Sequence, residues 1–425
     1  MNRLLQPLLK INGQHCPISF DEAFRHIAEQ YSHAPENRTL VISSGDYTNE
    51  ELYMMQRLAR TGLQTNAIGS FDYYNRGTAF FIDKNDIVPF AELFGSDMFL
   101  CIFDEQTNAE SQNIVRKIVD SCPKAQRYPF NTPSTLNIQN YGAFFRSLCH
   151  YLLHSNLAKG IYVNGLGKDF DTYKQKLLQE DYQELLGLNH LVPEDVESFI
   201  QMISKAEAPV FLVWERFLDE RGIIELENLC MLLDIQAKPS TGFLSIKADL
   251  NSQGLFDMGL FPNVCVGGRP MDDSSIALME DIYKHTVCTT PIDLTKQLEE
   301  EAFSHLFVFN STNSPIPESI REQVRSCSFS VLQTAHSEDT NLDFDLILPA
   351  SLPDEVYGTF TDSTRVPHNS KPAHDCPVSF NTIEQLSALG TQFGLEPLTN
   401  PTDIFLEYAS FFQGGCRSKY RHFFR

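Results

Sequence analysis

No two of the chain's ten cysteines stand close enough to form a Cys-x-x-Cys pair. Cys16, Cys101, Cys122, Cys149, Cys230, Cys265, Cys288, Cys327, Cys376 and Cys416 are scattered. The local signature of an iron–sulfur or zinc site is therefore missing, and the thiols read as reduced filler of apolar space. Also missing is any apolar run long enough for a signal peptide or a bilayer crossing, which predicts a soluble, cytoplasmic protein. Positive charge is scarce: 33 Lys and Arg face 55 Asp and Glu, for a formal net charge of -22. Such an acidic body repels nucleic acid and anionic membrane surfaces, so neither is expected as a main partner. Tryptophan occurs once, as Trp214 at the end of the run VFLVW, where core packing is its default role.

What is present is an ordinary globular composition, 42% hydrophobic and 21% charged, over 425 residues, enough for two or three domains. Strand-like and helical runs alternate. Ser19 or Asp21 can cap a helix within Ile18–Tyr31, Thr39–Ser44 (TLVISS) reads as a strand, and Asn49–Gly62 as a helix. The Ser44-Gly45 turn between those last two opens an α/β unit, in which the N–H groups of the following helix face a ligand. A second unit pairs the strand Asp97–Asp104 with the helix Ala109–Val119, but its turn, Glu105–Asn108, lacks glycine and is acidic. That chemistry repels a phosphate. Further strands are read at Val210–Trp214, His305–Asn310, Phe329–Gln333 and Phe344–Leu348. Further helices are read at Tyr141–Ser155, Pro193–Ala206, Ile223–Leu233, Ser274–Tyr283, Ile316–Ser326 and Thr382–Phe393. Pro123–Gln139 is polar and proline-rich, and Tyr357–Thr364 (YGTFTDST) reads as a turn. This alternation predicts parallel sheets covered on both faces, in domains that are interleaved rather than strung out.

Thr241–Pro270 holds five of the 22 glycines and two prolines. Such clustering marks a built loop against which something sits.

Four collinear stretches carry a resemblance. Leu5–Ala28, Ser44–Arg60, Gly254–Arg269 (GLFDMGLFPNVCVGGR) and Asp345–Arg365 (DLILPASLPDEVYGTFTDSTR) resemble, in order, segments of the molybdopterin-dependent oxidoreductases, or DMSO reductase superfamily. They are most similar to formate dehydrogenase catalytic subunits, and the large iron–sulfur subunit of NADH dehydrogenases is a related case. The resemblance implies two interleaved parallel-sheet α/β domains, one made of 1–75 and 240–425 and the other, 76–239, inserted into it. It further implies that the family's N-terminal iron–sulfur domain and C-terminal barrel are lacking. In the family, a molybdenum or tungsten bis-dinucleotide cofactor lies between two such domains. The positions carried over as vestigial cofactor contacts are Ser44, Gly45, Asn251, Gln253, Gly254, Gly358 and Thr361, with Gly254, Asp257, Met258, Gly259, Pro262 and Asn263 keeping the shape of the glycine-rich loop.

The chemistry-bearing residues of the family pattern are altered. The run KADLNSQG places Lys247 where the motif has its substrate arginine. Lysine loses the planar fork that matches a carboxylate, and Lys247 by itself reads as a surface lysine. Gly69–Gly77, where the metal's cysteine or selenocysteine would stand, contains neither Cys nor His. Tyr73 and Tyr74 read there as packing aromatics, because an unassisted phenol stays protonated at neutral pH. The nucleotide-binding turns are replaced by Phe103–Asn113 and 123–137. The expectation is a pseudoenzyme subunit that binds no metal and no normal dinucleotide cofactor, and that serves a multisubunit redox complex beside iron–sulfur or flavin subunits. The alternative is an active molybdopterin enzyme (Mo or W) acting on formate or a similar small substrate, with its missing domains supplied by partner chains.

Overall fold

The computed structural model describes residues 3–35, 37–81, 87–103, 109–159, 167–235, 238–300, 302–336 and 343–412. The Glu105–Asn108 turn and the polar tail that includes Cys416 lie outside them.

The chain opens with a hairpin, β1 (Leu8–Ile11) and β2 (Gln14–Pro17). Asn12 and Gly13 take φ of 51° and 80° between them, as a two-residue Asn-Gly turn requires. Helix α1 (Phe20–Ser32) starts at Ser19, which exchanges hydrogen bonds with Glu22 in a capping box. Strand β3 (Thr39–Ser43) follows, then α2 (Asn49–Arg57) with a second capping box between Thr48 and Glu51. A π-helical turn over Leu58–Gly62 continues α2 and leads to β4 (Ile68–Ser70).

The middle of the chain runs β5 (Met98–Ile102), α3 (Ala109–Asp120), β6 (Gln126–Pro129), α4 (Tyr141–His154), α5 (Gly167–Gln179), α6 (Tyr182–Gly187), α7 (Pro193–Lys205), β7 (Pro209–Trp214), α8 (Glu220–Leu232) and β8 (Gly242–Ile246). Then come α9 (Ser252–Asp257), the short pair β9 (Val264–Cys265) and β10 (Arg269–Pro270), α10 (Asp273–Tyr283), α11 (Leu294–Glu299), β11 (His305–Asn310), α12 (Glu318–Ser326), β12 (Phe329–Thr334) and β13 (Leu346–Pro349). The hairpin β14 (Gly358–Thr361) and β15 (Pro367–Ser370) precedes α13 (Thr382–Gln392) and α14 (Pro401–Ala409).

These elements form two compact units. Within the described residues the first holds 3–75, 249–362 and 366–412, and the second holds 76–248 with 363–365. The first unit is built on a seven-stranded sheet, β2-β1-β13-β12-β11-β3-β4, parallel from β13 to β4 and antiparallel at its β1–β2 end. Its parallel strands bury both faces, as covered parallel sheets do. Val41, Phe307, Phe309, Val331 and Leu348 belong to one apolar cluster, and Leu40, Ile42, Leu306, Val308 and Leu332 to another. The second unit carries a four-stranded parallel sheet, β6-β5-β7-β8, whose inner strands β5 and β7 are buried throughout.

Several expectations change. The polar stretch Pro123–Gln139 contains the edge strand β6, where half-exposed residues hide the apolar alternation of a strand. Thr241–Pro270 is not one loop: it supplies β8 and α9, and its irregular parts are the link 247–251 and the residues beyond α9. Tyr357–Thr364 is one arm of a hairpin rather than a turn.

The irregular stretch after α9 is held by one buried cation. Arg60 is fully buried. It donates to the carbonyls of Gly259 (2.9 Å), Phe261 (2.9 Å) and Val264 (2.7 Å), to Gln56 Oε1 (3.2 Å), and through Nε and Nη2 to Asn66 Oδ1 (3.3 and 3.2 Å). Gly259 at the turn has φ 75°, and a Cβ there would lie 2.8 Å from the Val266 nitrogen. Replacing Arg60 with Met strands three buried carbonyls, so urea denaturation should show a loss of about 3–5 kcal/mol. Arg60→Lys should recover only part of it, because an ammonium lacks the planar fork; a loss under about 1 kcal/mol for Arg60→Met would mean that the segment is held by other contacts.

Candidate functional site

In the first unit β3 and β11 are neighbours whose onward connections run in opposite directions, to β4 and to β12. In an open α/β sheet, ligands bind beyond the carboxyl ends of two such strands. Here that place is filled by the chain itself. The Ser44 N–H donates to the Phe309 carbonyl (2.9 Å), and the Asn251 N–H to the Gly45 carbonyl (2.7 Å). The Gly45 N–H donates to Asp249 Oδ2 (3.2 Å). Asp46 accepts from the Thr312 hydroxyl and from Ser314 Oγ (3.1 Å). The Ser44 hydroxyl is buried and has no hydrogen-bond partner.

A second cluster of the same unit lies around the start of α2. Asn49 Nδ2 donates to the hydroxyls of Thr359 and Thr361, both at 3.0 Å. Asn251 accepts from the Thr361 N–H (2.8 Å) and donates to the Tyr47 carbonyl (2.8 Å) and Asn49 Oδ1 (3.0 Å). Glu50 accepts from the Thr359 N–H (2.8 Å), the Thr359 hydroxyl (3.0 Å) and the Tyr408 hydroxyl (3.2 Å). The glycines make room for this network. A Cβ on Gly254 would stand 2.2 Å from Asn49 Oδ1, and one on Gly358 would stand 2.7 Å from Glu50 Oε2.

Of the positions singled out from sequence, Asn251, Gly254, Gly358 and Thr361 thus meet in one buried network, and Ser44 and Gly45 sit in the β3–α2 turn. Gln253 bonds within its own helix, to Asp257 Oδ1 (3.1 Å). Sequence reasoning missed Asn49, Glu50, Thr359 and Tyr408. The run Thr48-Asn49-Glu50-Glu51 carried a signal, since a capping box explains Glu51 but leaves Asn49 and Glu50 to find buried partners.

Neither Glu50 nor Glu51 has an ion-pair partner among the described residues. Burial raises the pKa of both. For Glu51 burial outweighs the hydrogen bonds from Thr48 and pushes its carboxyl up to about 7. The native state therefore holds more protons than the unfolded chain between the usual 4.5 and about 7. Stability should fall as pH rises through that window and level off above it. Glu51→Gln, which keeps the capping box, should flatten this slope and gain up to roughly 3 kcal/mol above pH 7 in denaturant titrations; an unchanged slope would place the carboxylate's cost elsewhere.

In the second unit β7 and β8 pair with Trp214 opposite Ile246. The residues just past that pair, Glu215 and Lys247, are thereby brought together. Lys247 Nζ lies 2.5 Å from Glu215 Oε1, with side-chain exposures of 4% and 0%. The ammonium also donates to the Phe80 carbonyl and stands 4.6 Å from the centre of the Phe81 ring, while the Ser245 hydroxyl donates to Glu215. Lys247 is not a surface lysine, and only strand register reveals why. Arg76 donates to the carbonyls of Glu215 and Leu218, and its guanidinium lies 4.3 Å from the centre of the Phe80 ring. The segment 76–81 is therefore pinned from two sides.

Tyr73 is buried with its ring 6.1 Å from that of Phe261, and the Tyr74 hydroxyl bonds Ser319 Oγ (3.0 Å). Among the described residues no three His, Cys, Asp or Glu side chains are placed to hold a metal, and no helix is long and apolar enough to cross a membrane. Lys247→Met should cost about 3–5 kcal/mol by taking the cation away from the buried Glu215 carboxylate, and Lys247→Met with Glu215→Gln should recover most of it. Additive losses in that double-mutant cycle would show the pair to be uncoupled.

The fold and its strand-end clusters define an α/β protein of two parallel-sheet units. Residues 3–99 match the molybdopterin oxidoreductase family. The chain is 23% identical over 410 residues to the F420-dependent formate dehydrogenase 2 subunit alpha of Methanococcus maripaludis, covering 88% of this chain and 60% of that protein. It is 24% identical over 408 residues to a putative formate dehydrogenase of Staphylococcus aureus, covering 85% of this chain and 40% of that one. Among solved structures, acetylene hydratase from Pelobacter acetylenicus superposes with a TM-score of 0.65 at 12% identity, over 93% of this chain and 62% of that one. A chain of the formyltransferase/hydrolase complex from Methylorubrum extorquens, solved with methylofuran, superposes with a TM-score of 0.55 at 13% identity, over 91% and 98%. These last two likenesses concern the fold alone. Residues 3–99 thus carry a molybdopterin oxidoreductase match, and most of the chain is similar to formate dehydrogenase subunits. The chain spans 60 to 65% of the length of the two Methanococcus relatives.

Proposed function

We propose that this chain is a structural, cofactor-poor subunit of a multisubunit redox assembly of the formate dehydrogenase, hydrogenase or NADH dehydrogenase type, working in the cytoplasm beside iron–sulfur or flavin subunits. The observation that carries the reading is Lys247. It is the cation at the position of the family's substrate arginine, and it is buried in an ion pair with Glu215 and bonded to the Phe80 carbonyl. A side chain so committed has no charge left for a carboxylate substrate.

The residues present also do not fit the family's dinucleotide cofactor. Gly45, in the turn that would approach a phosphate, gives its N–H to Asp249. A second carboxylate, Asp46, occupies the same turn. Two acids at that place oppose a phosphate where a ligand-binding turn would present free N–H groups. The space beside Gly254 and Gly358 is taken by Asn49, Asn251, Thr48 and Glu50. The expectation of partner subunits is supported by the names of the Methanococcus relatives, which are alpha subunits.

Metal analysis of the purified chain, with fluorescence of any released and oxidised pterin, should find neither molybdenum, tungsten nor pterin in stoichiometric amount. Co-purification from the native source should recover an iron–sulfur or flavin subunit. Stoichiometric metal with pterin would overturn the reading in favour of an active oxidoreductase.

A further inference from the structure

We propose that the β3–α2 turn is an anion cradle held shut by the chain's own Asp249 carboxylate, which stands where a phosphate or carboxylate ligand would bind. The inference rests on the cofactor-poor reading above and adds the device that enforces it: the site is plugged, and a single residue is the plug.

A strand-to-helix turn binds anions because its N–H groups point outward with no partner in the chain. In this turn four of those donors are spoken for. Ser44 gives its N–H to the Phe309 carbonyl and Gly45 gives its own to Asp249 Oδ2 at 3.2 Å. Thr48 donates to Glu51 Oε2 (2.8 Å), and Glu51 donates back to Thr48 Oγ1 (3.2 Å). Among these acceptors Asp249 is the one that comes from a distant stretch of chain and bears a charge. The contact is close-packed. A Cβ on residue 45 would lie 2.5 Å from Asp249 Cβ and 2.6 Å from its Oδ2, so the turn admits this carboxylate only because residue 45 is glycine. Asp249 is itself fixed, its N–H donating to Ser252 Oγ (2.9 Å), and two residues on the Asn251 N–H closes the ring onto the Gly45 carbonyl (2.7 Å). Beside the glycine, the Ser44 hydroxyl is 1% exposed and has no hydrogen-bond partner. A buried hydroxyl left unsatisfied calls for a partner, and beside this turn an anion oxygen would supply one.

The plug discriminates by charge. An inorganic phosphate approaching this turn must displace Asp249 and meets Asp46 as well. Removing the Asp249 side chain frees the Gly45 N–H and one negative charge together. Asp249→Asn keeps an amide oxygen within reach of the same N–H and leaves the cradle closed.

The test follows the Gly45 amide in the full chain labelled with 15N-glycine while inorganic phosphate is added. In the wild-type protein the Gly45 resonance should not move. In Asp249→Ala it should move along a saturable curve, with phosphate bound at least roughly tenfold more tightly than by the wild type or Asp249→Asn. A saturable phosphate shift in the wild type would overturn the proposal, and that measurement stands even if Asp249→Ala fails to fold. Folded Asp249→Ala with an unmoved Gly45 resonance would overturn it too. Neither result touches the metal and pterin analysis, so loss of the plug and loss of the cofactor-poor reading are told apart.

Discussion

A guanidinium buried without a carboxylate must find its partners among backbone carbonyls, and Arg60 is such a group. Burial lowers its pKa, yet an arginine does not give up its proton inside a protein. Its donors are therefore obliged to be satisfied, and the segment after α9 curls so that Gly259, Phe261 and Val264 turn their carbonyls inward. Neighbouring side chains answer the same requirement. Asn66 and Gln56 hold the guanidinium from the other side, Asn66 reaches Asn263, and Asn263 bonds both the N–H and the carbonyl of Ile292. A cation that costs much to bury becomes the centre that fixes an otherwise irregular stretch of chain.

The same logic explains why the carboxylates matter more than their number suggests. A net charge of -22 is mostly a surface property, and surface charge says little about fold. Glu50, Glu51, Asp249 and Glu215 are different because each is tied to a particular backbone or side-chain donor. Glu50 caps the open edge of β14 through the Thr359 N–H, while Asn251 does the same two residues on, at Thr361. An unpaired strand edge is thereby satisfied by side chains, which keeps a two-stranded hairpin ordered against α2.

Much of the fold was legible. A cap at Ser19 or Asp21 before an apolar period announced α1, the β-branched run TLVISS announced β3, and VFLVW announced β7, because each is a local signal. The β1–β2 hairpin was missed despite its Asn12-Gly13 pair, because neighbouring Lys10, Gln14 and His15 dilute the alternation that would have drawn attention to it. Edge strand β6 was hidden for a related reason: QRYP has no apolar face to show. The glycines at 254 and 358 signalled close approach, and close approach is what they provide. What they approach, Asn49 and Glu50, lies some two to three hundred residues away, and no pattern within one stretch of chain encodes that.

Lys247 shows where reading by residue type reaches its limit. A lone lysine after a strand is usually solvated, and its long stem lets it reach water from most positions. The register of β7 against β8 decides otherwise, since pairing Trp214 with Ile246 puts Glu215 beside Lys247 whatever either side chain prefers in isolation. Once paired and buried, the two are coupled, so a change at one raises the cost of keeping the other. A comparable constraint acts at Gly45, where Asp249 leaves no room for a Cβ. In both places positions that resemble a ligand site are held by packing constraints internal to the chain, and those constraints act whether or not a ligand binds.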